Sequence, residues 1–213
     1  MSMITEIEQK CCKCGHKNTV PFLSSTNTFG GSSDLDLRPP DDLRDTMMFW
    51  LEECEHCGYV NFDIEKDNGI DINYLKNKNY ITCDAMVFKS NLANRFYRYF
   101  KIMLELKNYE KAYDALLNVV WLCDDEKDFA LAVKFRVWLD EIFENWKPAD
   151  EKSLVRHADV LRRSGSFDEV IKRYSNFSSS EEIHNEIIQF QLKLSEQKNI
   201  NAYSIDRMRY ETC

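Results

Sequence analysis

Apolar residues recur at helical spacing through the second half of the chain. Leu92, Phe96, Tyr99/Phe100 and Met103 repeat every three to four positions and predict a helix over 89–106. After a break at Lys107-Asn108, Ala112, Ala115/Leu116 and Val119/Val120 carry the same period and predict a helix over 109–123. Leu131, Phe135, Trp138/Leu139 and Ile142/Phe143 predict a third over 127–146, with Asp124-Asp125 as turn and N-cap and Pro148 as the stop. Further helices are expected over 151–164, 167–174, 181–197 and 202–210; serines at 178–180 offer a cap, and Glu181-Glu182 suits a helix dipole. Six or seven antiparallel helices joined by short loops read as a bundle or solenoid.

The first part of the chain has a different texture. Segments 19–23, 46–51 and 59–64 are rich in β-branched and aromatic residues and are strand candidates. Between the first two, Gly30-Gly31, Ser32-Ser33 and Pro39-Pro40 mark a long loop. An Asn-rich stretch over 68–79 reads as the boundary. The expected class is therefore α+β, mostly α: a small β unit over residues 1–80 and a helical unit over residues 81–213.

Composition narrows the function. With 44% hydrophobic and 30% charged residues the chain is not disordered throughout, and 6 glycines and 4 prolines exclude collagen-like and low-complexity classes. The first ten residues hold no basic stretch and no apolar core, so no signal peptide is expected, and no apolar run approaches a membrane span. The expected compartment is the cytoplasm, where paired cysteines mean metal more often than disulfide. Net charge is −8, and residues 1–80 carry 8 Lys/Arg against 14 Asp/Glu, which opposes nonspecific nucleic-acid binding.

The strongest chemical signal is a doubled motif, Cys11-Cys12-Lys13-Cys14-Gly15 and Cys54-Glu55-His56-Cys57-Gly58. A two-residue spacer lets a tight turn aim both sulfurs at one ion, and the following glycine permits the positive φ that closes the turn. Cys11, Cys14, Cys54 and Cys57 are thus expected to hold one structural Zn, with Fe as the chemical rival. Cys12 competes with Cys11 for the first position, although Cys12-Lys13-Cys14 leaves only one spacer residue. His16 and His56 are potential substitutes. A closed four-thiolate shell leaves no position for substrate or water, so the metal reads as structural.

Residues Phe29-Gly-Gly-Ser-Ser-Asp-Leu-Asp-Leu-Arg-Pro-Pro, then Arg44, Trp50 and the Cys54 knuckle with Tyr59, resemble a bacterial family of uncharacterised zinc-ribbon proteins. That family is marked by paired Cys-x-x-Cys-Gly knuckles around an S-x-D-L-D-x-R-P loop and is followed by a helical domain. It implies a zinc ribbon and no particular activity. Leu154, Ala158, Leu161, Gly165, Phe167, Val170 and Tyr174 resemble the packing pattern of a tetratricopeptide repeat, and Phe96, Phe100, Met103, Tyr109, Ala112 and Leu116 a weaker copy. This second resemblance implies helical hairpins and a partner groove. Its groove-facing positions are Asn94, Tyr97 and Lys101, then Lys152, Val155, Asp159 and Arg162, suited to an acidic peptide or a chain-terminal carboxylate. The two copies are not spaced by a multiple of the about 34-residue repeat, so the helix over 127–146 interrupts a regular array.

Other candidates are weaker. Asp34, Asp36, Asp41, Asp42 and Asp45, with Arg38 and Arg44, crowd the long loop and are read as a solvated segment, with cation binding or acid–base chemistry as the alternative. The basic and aromatic residues over 94–101 fall on a helical core stripe. His157 is expected to be packed and His184 to lie at the surface. Cys83, Cys123 and Cys213 have no partner at ligand spacing, and Cys123 reads as core. The function expected is noncatalytic protein–protein interaction by a zinc-binding adaptor. The alternatives are a nucleic-acid-associated zinc-ribbon regulator and an enzyme built on the Asp-rich loop.

Overall fold

The computed structural model describes residues 3–26, 30–81 and 88–212, without the side chains of residues 79, 81 and 212. Phe29, Cys83 and Cys213 lie outside the described residues. The architecture is α+β and mostly α. The chain packs as two compact units, one of Met1–Phe29 with Asp42–Lys127, the other of Gly30–Asp41 with Asp128–Cys213. The sequence boundary at 80/81 falls inside the first unit.

In the first unit, β1 (Met3–Lys10) and β2 (Lys17–Ser25) form an antiparallel hairpin in which Ile7 lies opposite Val20 and Lys10 opposite Lys17. Alternation buries Asn18 and Val20 on one face of β2. β1 was not among the expected strands. Its Glu6, Glu8, Gln9 and Lys10 conceal the pattern because most of the strand is exposed. α1 (Asp41–Arg44) leads into a 3₁₀ turn at Asp45–Phe49, in place of the strand expected over 46–51. Thr46 Oγ1 donates to Leu43 O at 2.6 Å and accepts from Trp50 Nε1 at 3.0 Å, bonds three and four residues long that coil the segment. β3 (Glu52–Glu53) and β4 (Val60–Asn61) pair antiparallel as a second short hairpin. The Asn-rich stretch holds two single-turn helices, α2 (Ile72–Leu75) and α3 (Lys78–Ile81).

α4 (Asn91–Glu105) and α5 (Tyr109–Asp125) pack as a helical hairpin. Ser90 caps α4 by accepting from Ala93 N at 3.1 Å, and Asn108 caps α5 by accepting from Lys111 N at 3.2 Å. The predicted stripes are buried: Phe96, Phe100 and Met103 on α4, and Ala112, Leu116, Val119 and Val120 on α5. Each such large side chain contributes about 1.5–3 kcal/mol by leaving water.

The second unit contains α6 (Phe129–Trp146), α7 (Glu151–Arg163), α8 (Phe167–Tyr174), α9 (Glu182–Glu196) and α10 (Ile205–Thr212). α7 packs on α6, α8 and α9, and α10 packs on α9. Asp128, rather than Asp124-Asp125, caps α6, accepting from Leu131 N at 3.2 Å. Ser179 Oγ accepts from Glu181 N at 2.9 Å ahead of α9. Residues 30–41 of the Asp-rich segment join these helices. Leu35 N donates to Tyr203 O at 3.0 Å, Ile205 N to Ser33 O at 2.9 Å, and Asp206 N to Ser32 Oγ at 2.8 Å. Leu35 is fully buried in a core with Val155, Leu161, Ile187, Phe190 and Met208.

Candidate metal centre

Each cysteine knuckle is the turn of a β-hairpin, and the two turns repeat one hydrogen-bond pattern. Cys11 N donates to His16 O and Cys54 N to Tyr59 O, both at 2.9 Å. Gly15 N donates to Cys11 O and Gly58 N to Cys54 O, both at 2.8 Å. Gly15 and Gly58 take φ of 73° and 69°, the left-handed conformation expected of them. Two local folds dictated by the same five-residue motif therefore face their sulfurs inward.

The Sγ atoms of Cys11, Cys14, Cys54 and Cys57 all lie within 4.8 Å of one another. Cys11 and Cys57 are 3.7 Å apart, and Cys14 and Cys54 are 3.6 Å apart. A tetrahedral ion with ~2.3 Å metal–sulfur bonds requires sulfurs ~3.8 Å apart. The donor set and its spacing fit such an ion. Cys11 belongs to this group, while Cys12 is exposed and its amide donates to Ile64 O at 2.9 Å. His16 and His56 stand outside the group, their exposed rings stacked with centroids 5.3 Å apart.

Burial pushes the Cys11 thiol up to about 11 and raises that of Cys57 as well. Burial also opposes ionisation of Cys54, but backbone hydrogen bonds from Cys57 and His56 outweigh it and hold that thiol below its ordinary value. Thiols of this kind become thiolates together when a divalent cation enters among them.

Asn18, which sequence reading missed, ties the two knuckles. Its Nδ2 donates to His16 O at 3.1 Å and towards Cys54 Sγ at 3.7 Å, while its Oδ1 accepts from Glu55 N at 3.0 Å. The available signal was a polar residue in the inward register of β2. Lys13 is nearly buried and bridges the first knuckle to Asp67 and to Ile70 O. Tyr80 Oη donates to Gly58 O at 2.6 Å, anchoring the second knuckle.

The residues expected at a partner groove fall in both units. Asn94, Tyr97 and Lys101 belong to α4 in the first unit. Tyr97 is buried beside Phe88 and Phe100, and Asn94 lines a cavity of about 580 Å³ with Glu52, Glu53, Arg95 and Arg98. In the second unit Lys152 is exposed, whereas Val155, Asp159 and Arg162 are buried. Arg162 donates to Gln191 Oε1, Asp159 Oδ1, Asn199 O and Asn201 O, so its charge is consumed inside the protein. In the Asp-rich segment Asp36 and Arg38 are buried, Arg38 N donating to Asp36 Oδ1 at 3.1 Å, and Asp41, Asp42 and Asp45 are exposed. Among the described residues the four cysteines are the one cluster placed to hold a metal.

His157 is packed as expected, its ring stacked on Phe143 with centroids 3.6 Å apart. His184 is buried rather than at the surface, with Nδ1 3.1 Å from Glu151 Oε2. No helix among the described residues is long and apolar enough to cross a membrane. No family model, curated protein or solved structure matches the chain.

Proposed function

We propose that the four thiolates hold one structural zinc ion, and that the chain is a noncatalytic protein–protein interaction module: a zinc ribbon of the resembled bacterial type joined to tetratricopeptide-like helices. The observation that carries this reading is the four-sulfur cluster, whose spacing matches a tetrahedral shell completed by protein atoms alone. Such a shell folds a unit whose short strands bury little by themselves and offers no open position to a substrate. The tetratricopeptide likeness is supported by short turns and by the fully buried Ala112 and Ala158 on helices that pack closely. A cytoplasmic setting is supported by the paired cysteines being placed together as a metal cluster. The acidic balance of residues 1–80 favours a protein partner over nucleic acid.

The test joins metal content to a binding assay. Protein produced without added metal is expected to carry one zinc per chain, and the same preparation is expected to cause no salt-sensitive gel shift of DNA or RNA. Zinc-free, iron-free protein that is folded would refute the metal half. A shift that weakens steeply with salt would replace the partner half with nucleic-acid regulation.

A further inference from the structure

The first unit contains a smaller cavity, of about 270 Å³, between Phe62 and the α4–α5 hairpin. It lies just below the ~300–1,000 Å³ range of drug-sized ligand pockets and is scaled to a single side-chain head. One wall is aromatic. Phe62 and Tyr99 meet edge to face, with centroids 5.2 Å apart and planes at 77°, and Phe96 lies beside them. Phe62 is 57% exposed, an open aromatic face beside otherwise buried rings. The other wall is one face of α5. Glu110, Asp114 and Asn118 follow one another at four-residue spacing, so two carboxylates and an amide side chain line up along the cavity. Asn118 Oδ1 is buried out of reach of solvent, so the polar groups the cavity presents are the carboxylates of Glu110 and Asp114. Lys111 stands on the same wall as the opposing charge.

Perpendicular ring faces opposite carboxylates make a chemistry that attracts cations and repels anions. A carboxylate would meet Glu110 and Asp114. We propose that this cavity binds an organic cation, the ammonium or guanidinium head of a lysine- or arginine-type side chain on a partner polypeptide. The alkyl stem of such a side chain covers Phe62 while its head reaches the α5 acceptors. The source of the cation rests on the interaction reading; the binding itself is measured with free probes and does not depend on it.

The experiment is a titration of the full chain, zinc content verified, followed by the ring resonances of Phe62 and Tyr99. The probes are N-acetyl-lysine methylamide, N-acetyl-arginine methylamide and the neutral N-acetyl-norleucine methylamide. Saturable shifts are expected with one or both cationic probes at millimolar concentration and none with the neutral one. Glu110→Gln with Asp114→Asn is expected to weaken binding about tenfold, and Phe62→Ala about threefold or more. Lys111→Gln, a change at an exposed position, is expected to tighten it. Absence of saturation with both cations, equal response to norleucine, or a Lys111→Gln variant that binds no more tightly would overturn the proposal. A failed titration on zinc-loaded protein rejects the cavity and leaves the metal reading standing.

Discussion

His157 lies between two partners in the second unit: its Nδ1 is 2.7 Å from Tyr174 Oη and its Nε2 3.2 Å from Asp140 Oδ1. Burial lowers its pKa, outweighing the hydrogen bond to Asp140 that raises it. The neutral ring then donates from Nε2 to the carboxylate and accepts the tyrosine proton at Nδ1, a tautomer assigned from these partners. A histidine with a depressed folded pKa contributes stability that is present above its unfolded value of about 6.5 and is lost as pH falls below it. The Asp140 carboxyl is itself held low by His157 and then Arg173, so its contribution is lost at still lower pH. The melting temperature is therefore expected to decline from about pH 6.5 downward, and His157→Gln is expected to flatten the first part of that decline. Arg162 makes a stronger claim. Truncating it to Ala leaves the buried Asp159 with a hydrogen bond from the neutral Gln191 Nε2 at 3.0 Å and the longer contact to Arg163 at 3.8 Å. The expected cost is about 3–5 kcal/mol by urea unfolding, against ~0.5 kcal/mol for a groove-facing surface residue. The four cysteine ligands were legible because the motif is local and closes its own turn. Asn18 and Arg162 were not, because their roles rest on Glu55, Gln191 and Asn199, which sequence spacing does not connect to them.

At the scale of elements, one habit of this glycine-poor chain recurs. Lys107, Lys127, Lys147 and Lys198 follow α4, α5, α6 and α9 with φ between 53° and 58°, where glycine is usual. A lysine there suits the negative end of the helix dipole but bears the steric cost of left-handed backbone. Lys107→Gly is expected to stabilise the protein by about 0.5–1 kcal/mol, whereas Lys107→Ala should stay within ~0.5 kcal/mol of wild type. Thermal melts of the two variants make the comparison; equal effects would mean that the backbone conformation is not limiting. The helices were readable because an apolar stripe with a 3.6-residue period needs no knowledge of its partner. The strands were less so. β1 exposes most of its residues and so lacks an alternating apolar signature, and the run over 46–51 is recruited into a 3₁₀ turn by the Thr46 hydroxyl.

Over the whole chain, the two units have separate means of support. The core of the second, from Leu35 to Met208, contains none of the cluster cysteines. A strong chelator is therefore expected to abolish dispersed signals from the ribbon while most helical circular dichroism persists, and Cys54→Ser is expected to do the same; complete loss of helix would show that the metal supports both units. The assignment of residues 30–41 to the helices was hidden from sequence reading because their partners at 203–206 lie far along the chain. The central claim is the closed shell of four sulfurs, and the zinc K-edge X-ray absorption spectrum of the purified full chain tests it most directly. Four sulfur scatterers at about 2.3 Å, with no nitrogen or oxygen in the first shell, are expected. A nitrogen or oxygen scatterer in that shell, or protein that carries no metal at all, would contradict it.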